Sequence, residues 1–260
     1  MSTEKLCFIN FTKEKKRKGL IQSQPAMPLA AIESLGSESV PNRPTTAQKL
    51  FSLAEFLLGA GIVIGHNVFH VVPNEVPILA ALGLISFRLR DGSWLGMGLQ
   101  WPKSWWRVVL IALAAAALRI LLGALVVDPV TAHFWPPAVG PKGMNEIAGH
   151  PFVAMRWLLL VWTFAALGEE IAYRGYLINR AADAFGRSKA AYWLGVIAVA
   201  VLFGYGHYYK GPAGIVDSGV AGLILGAAYL VSGRNLWACI LAHGFIDTFG
   251  VIALFFGWSS

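Results

Sequence analysis

Residues Trp157–Gly175 read WLLLVWTFAALGEEIAYRG. Eleven apolar or near-apolar residues, Trp157 to Leu167, run without a break into Gly168, Glu169 and Glu170, and Arg174 follows one helical turn later. The run is too apolar for a surface helix and points to a segment embedded in lipid or in the middle of a bundle. Two adjacent carboxylates at its end cost several kcal/mol if left charged and unpaired. Ionisable residues at membrane depth are costly enough that function is the default reading. Two later apolar stretches carry polar insertions of the same kind: Phe203-Gly204-Tyr205-Gly206-His207 and His243-Gly244-Phe245-Ile246-Asp247. Three insertions rich in proton-handling groups suggest one centre assembled inside a helical bundle.

The whole chain agrees with a membrane setting. It has 260 residues, of which 56% are hydrophobic and only 13% charged, and its mean hydropathy is +0.59. Soluble domains carry about 25% charged residues. The net charge of +7 does not point to nucleic acid. Part of it sits in Lys13, Lys15, Lys16, Arg17 and Lys18, and most of the remaining basic residues fall between apolar runs, where they set topology or meet anionic headgroups. The two cysteines, Cys7 in a polar stretch and Cys239 in an apolar one, have no neighbours that make a redox or zinc motif.

Residues 1–46 are polar, with scattered Pro, Ser and Gly, and read as a disordered cytoplasmic tail without a secretory signal. Residues 47–260 read as one transmembrane domain. A span needs roughly 20 apolar residues. Candidates are Leu50 to Val72, Trp106 to Val127, Phe152 to Ile178, Ala190 to Tyr208, Gly214 to Val231 and Leu236 to Trp258, with a shorter helix over Val76 to Phe87. The expectation is an all-α, polytopic bundle of about seven to eight helices. Asp128 to His150, rich in Pro and Gly, reads as an extramembrane loop, and Trp94, Trp101, Trp105 and Trp106 suit an interface belt. Basic residues gather at alternate ends: Lys13 to Lys18, then Arg88, Arg90, Lys103 and Arg107, then Arg180, Arg187 and Lys189, then Arg234. The positive-inside rule then puts the N-terminus in the cytoplasm and the protein in the cell membrane.

On a helix, Glu170 and Arg174 stand at i,i+4 and meet on one face, while Glu169 points about 100° away. One carboxylate is neutralised by the arginine and holds the architecture. The other is free to take a proton from water. His207, and His243 with Asp247 four residues on, add a second base and a set of donors for an oxyanion. These groups suit hydrolysis of an amide or ester.

The three insertions together resemble the motifs of the CAAX protease and bacteriocin-processing family, also called the Abi or CPBP family. Its type II CAAX prenyl endopeptidases are glutamic intramembrane proteases. The resemblance covers Arg156 to Gly257, and the connector Leu95-Gly96-Met97-Gly98-Leu99 is similar to the family's as well. It implies an intramembrane endopeptidase acting on a peptide or lipidated protein at the bilayer, with no cofactor. By position it implies Glu169 as the base that activates water with help from His207, Glu170 organised by Arg174, and His243 in an oxyanion hole. The residue four after that histidine is most often Asn in the family; here it is Asp247. An ionised aspartate cannot donate a hydrogen bond, so Asp247 either serves protonated or holds His243 as a charged donor.

Blander readings stand beside these. Glu169, Glu170 and Arg174 make a plausible structural ion pair, His207 a helix-end histidine, and His243–Asp247 an interhelical pair. His66, Asn67 and His70 read as interface residues away from the site. A zinc metalloprotease using the same residues is the rival enzyme, although no His-Glu-x-x-His pattern is present. A membrane scaffold or bacteriocin-immunity protein is the rival outside catalysis.

Overall fold

The computed structural model describes residues 44–258. The tail expected over residues 1–46 thus lies, up to residue 43, outside the described residues. Seven helices make up the described part: α1 Thr46–Asn67, α2 Glu75–Arg90, α3 Trp105–Phe134 and α4 Pro151–Ala184, α5 Lys189–Tyr205, α6 Gly211–Val231 and α7 Leu236–Phe255. The expected all-helical bundle is found. With the short 3₁₀ turn Tyr208–Lys210 added to α6, five of the seven are long and apolar enough to cross a membrane; α2 and α5 are shorter. This is a multi-pass membrane protein. Its outer surface exposes Leu57, Leu58, Leu110, Leu113, Leu118, Leu121 and Leu159, an apolar coat that suits lipid and would aggregate in water.

Local chemistry sets the helix ends. Thr45 and Gln48 form a reciprocal capping box at the start of α1. Asn74, Ser188 and Asn235 cap α2, α5 and α7 through their side chains. α1 stops short of Val72, its expected end, because Val71 and Val72 lead into Pro73, which disfavours helical backbone before it; His70 has already turned to a φ of 56°.

Two boundaries differ instructively from expectation. α3 continues through Pro129 to Phe134, where the loop was expected to begin. A wider, i→i+5 bonded turn, Gly123–Val127, comes immediately before; this local widening accommodates the proline ring and its missing N–H. In α4, the same wide bonding runs from Val161 to Leu177 and carries the Glu-Glu segment. Such bonding recurs at functional sites.

α4 is the axis of the bundle. Every residue from Ala172 to Asp183 is buried, packed by Leu79, Phe87, Met97, Val199, Phe203, Tyr229 and Leu236. The connector after α2 plugs this core from the side. Met97 is fully buried, its carbonyl accepts from the Tyr229 hydroxyl at 2.9 Å, and the Gly98 carbonyl accepts from Leu236 N–H at 3.0 Å. Gly98 has a φ of 92°, and a Cβ there would stand 2.2 Å from the Arg234 carbonyl oxygen, so only glycine fits.

Basic residues expected to face headgroups behave differently at this end. Arg180 is fully buried. It pairs with Glu55 at 3.2 Å, Asp91 at 2.8 Å and Asp183 at 3.0 Å, and its guanidinium lies 4.1 Å from the centre of the Phe87 ring. Arg90 joins through Glu55, and Arg187 through Asp183 and Asp91. Arg187 sits in the α4–α5 turn, and its hydrogen bond to Asp183 raises its proton affinity further. The correction follows from carboxylates that arrive from α1, the α2 end and α4 itself, and which a one-dimensional charge count does not see.

Candidate active site

The wide turn of α4 brings Glu170 and Arg174 together as the i,i+4 spacing requires. Arg174 Nη1 donates to Glu170 Oε1 at 2.9 Å, with both side chains buried. Arg174 Nη2 reaches the Gly222 carbonyl at 3.3 Å, and the guanidinium lies 4.4 Å from the centre of the Phe203 ring. The same Glu170 Oε1 accepts from His243 Nδ1 at 2.6 Å. Glu170 is therefore shared between a cation on its own helix and the imidazole of α7.

His243 Nε2 faces Asp247 Oδ2 at 3.5 Å, longer than a firm hydrogen bond. Both ring nitrogens thus face carboxylate oxygens. His207 stands where the α5 helix has ended. Its Nδ1 lies 2.9 Å from the Phe203 carbonyl oxygen. A carbonyl can only accept, so Nδ1 carries a proton, and in the neutral ring Nε2 keeps its lone pair. α5 and α6 come this close because Gly204 has no side chain: a Cβ there would lie 2.6 Å from the Ile215 carbonyl oxygen. Phe203 is the hub of this wall, with the rings of Tyr173, His207 and His243 at 5.0, 4.8 and 6.2 Å.

Glu169, His207, His243 and Asp247 all line one cavity of about 660 Å³, a size ordinary for ligand pockets. Glu169 differs from its neighbour. The buried Oε2 of each takes no hydrogen bond from the protein, but Glu170 Oε1 has two partners, whereas no cation pairs with Glu169 among the described residues. Glu170 and Arg174 stand behind His243 as support. The six residues singled out from the sequence thus gather from α4, α7 and the α5–α6 turn, four on the cavity wall and two buried beneath it.

The sequence reading missed part of the wall. His66 and Asn67, expected away from the site, line the same cavity; only His70 is exposed, as expected of an interface residue. Glu75, at the start of α2, lines it too. Its Oε2 lies 3.3 Å from His66 Nε2, and its Oε1 accepts from the Tyr173 hydroxyl at 3.4 Å. Arg119 of α3 and Asp217 of α6 add an ion pair on another side at 2.5 Å. A usable signal existed: each is a polar residue inside or bordering an apolar run, the same cue that exposed Glu169. Among the described residues no three His, Cys, Asp or Glu side chains are grouped so as to hold a metal ion.

Residues 151–249 match the family model described as "Type II CAAX prenyl endopeptidase Rce1-like". This segment contains all three polar insertions, and the family it matches is the one their spacing resembles. No curated protein and no solved structure matches the chain.

Proposed function

We propose, from the match of residues 151–249 to the Rce1-like type II CAAX prenyl endopeptidase model, that this protein is a glutamic-type intramembrane endopeptidase whose water is activated by Glu169. The observation that carries the reading is the division of labour between adjacent carboxylates. Glu170 is engaged by Arg174 and His243, while Glu169 faces the cavity unpaired. A general base must keep a lone pair for the proton it abstracts.

In this reading His207 Nε2 accepts a hydrogen bond from the water and orients it. Glu169 takes the other proton as the water oxygen attacks the carbonyl carbon. The tetrahedral oxyanion lies toward His243 Nε2–H, whose positive charge is balanced by Asp247 and Glu170. The C–N bond then breaks, and the proton held by Glu169 passes to the leaving nitrogen. A carboxylic and an amino end result, with protons conserved. Asp247 acts as counter-charge rather than as donor, a role supported by its position beside His243 Nε2. The bilayer supplies the setting and a peptide or lipidated protein the substrate. The N-terminus lies in the cytoplasm, a reading supported by the alternating Lys and Arg along the chain.

Peptide profiling of membranes from wild-type cells and from a Glu169→Ala strain tests the reading. Peptides that end at a new cleavage point should vanish in the variant and survive chelator treatment of the wild type. Identical profiles would favour a scaffold or immunity protein, and loss of cleavage on chelation would favour the zinc enzyme.

A further inference from the structure

The charged groups of the cavity wall can be paired off one by one. Arg119 is matched by Asp217, Glu75 by His66, and Asp247 by His243. Two remain among the described residues: Glu169, which the proposed chemistry uses, and Lys210, which it does not. Lys210 lines the cavity and makes no ion pair with any described carboxylate. It is partly buried, and its nearest aromatic neighbour is the Tyr209 ring, centred 6.0 Å from Nζ.

Its placement is held firmly. Lys210 N–H donates to the His207 carbonyl at 2.9 Å, so the ammonium group rides on the turn that carries His207. The stem lies along Gly214, where a Cβ would come within 2.1 Å of Lys210 Cβ. The Lys210 carbonyl accepts from Val139 N–H at 3.1 Å, which ties it to the strap Ala138–Pro141 over the cavity. A lysine at a lipid-facing position would extend toward headgroups. This one is held at the cavity, three residues from His207, in a wall whose charges other than Glu169 are paired.

We infer that Lys210 is a specificity-determining residue that binds a carboxylate on the substrate peptide, carried within a few residues of the bond to be cleaved. The inference rests on the proposed function only in taking the occupant to be a peptide. A carboxylate there gives Lys210 the charge-assisted hydrogen bond it lacks, and it holds the peptide in one register beside His207 and Glu169. Two sources supply that carboxylate: the free C-terminus of the peptide, or an acidic side chain near it.

The test measures binding to the full-length Glu169→Gln protein in nanodiscs, so turnover plays no part. The probes are an N-acetylated Val-Leu-Leu tripeptide as free acid, the same tripeptide as C-terminal amide, and an amidated version with glutamate in the last position. The free acid should bind about tenfold more tightly than the amide, equivalent to about 1.4 kcal/mol. Glu169→Gln/Lys210→Gln should lose that preference and Glu169→Gln/Lys210→Arg should keep it. Tight binding of the glutamate peptide would assign the carboxylate to a side chain; tight binding of the free acid alone would assign it to the chain terminus. Equal or undetectable binding of all three peptides, or a preference that survives Lys210→Gln, overturns the inference. An intact preference in a protein whose wild type cleaves nothing would overturn the proposed catalysis and leave the carboxylate site standing.

Discussion

Arg174 and Arg180 lie six residues apart on α4, and both are buried. Their surroundings are opposite in kind. Around Arg180, three carboxylates (Glu55, Asp91 and Asp183) meet three guanidinium groups (Arg90, Arg180 and Arg187), and the formal charges cancel. Around Arg174, one guanidinium faces Glu170 with a histidine as third party, and Glu169 is left over. A buried charge is tolerable when compensated and expensive when not. The first cluster has the balance of an assembly joint between α1, α2 and α4. The second keeps an uncompensated group facing a cavity, an arrangement that persists where reactivity is needed.

This contrast can be broken most sharply at Glu169. Glu169→Gln keeps the shape and removes the base; peptide cleavage should fall by about 10²–10⁴-fold, with thermal unfolding in detergent close to wild type. A large loss of stability would mean that Glu169 belongs to the architecture after all. Arg180→Met should do the reverse. It leaves three carboxylates to the two remaining guanidinium groups of Arg90 and Arg187, and breaking a buried network from one side costs about 3–5 kcal/mol. The melting temperature should drop clearly, while the rate per folded molecule is retained.

Glu170→Ala falls between the two. It strands Arg174 and frees His243, so stability should drop by about 3 kcal/mol or more and activity should go with it. Wild-type stability would contradict the pairing. The smallest expected effect is at the rim. Asp247→Asn removes the counter-charge of His243 while keeping its shape, and the rate should fall by about tenfold, in line with a lost charge-assisted contact. A rate equal to or above wild type would identify residue 247 as a direct donor to the oxyanion. Kinetics on one peptide substrate separates the two.

The sequence displayed the fold where composition and period speak for themselves. Apolar runs such as Trp157–Leu167 announce a bundle because lipid leaves few alternatives. Glu170 with Arg174, and His243 with Asp247, were legible because i,i+4 spacing brings side chains together within one helix. Contacts between helices were not. His66 meets Glu75 across a turn whose shape depends on Pro73 and the early stop of α1, and nothing in the local pattern says that this corner folds over the cavity. Arg180 misled for a similar reason. Seen along the chain it is a basic residue at the end of a span, and its partners lie about 90 to 125 residues away in Asp91 and Glu55 as well as beside it in Asp183. The wide bonding of Val161–Leu177 left no mark in composition at all, since its residues are ordinary helix formers and aromatics.

The bond from Leu236 N–H to the Gly98 carbonyl ties the start of the last helix to a connector made early in synthesis. A ribosome delivers Glu169, Glu170, Arg174 and His207 before His243 exists. Until α7 enters and docks beside Met97, Glu170 lacks its imidazole partner and the cavity lacks the part of its wall made by His243, Ile246, Asp247 and Gly250. Docking of Leu236–Phe255 therefore closes the Glu170–His243 contact and completes the cavity wall in a single step.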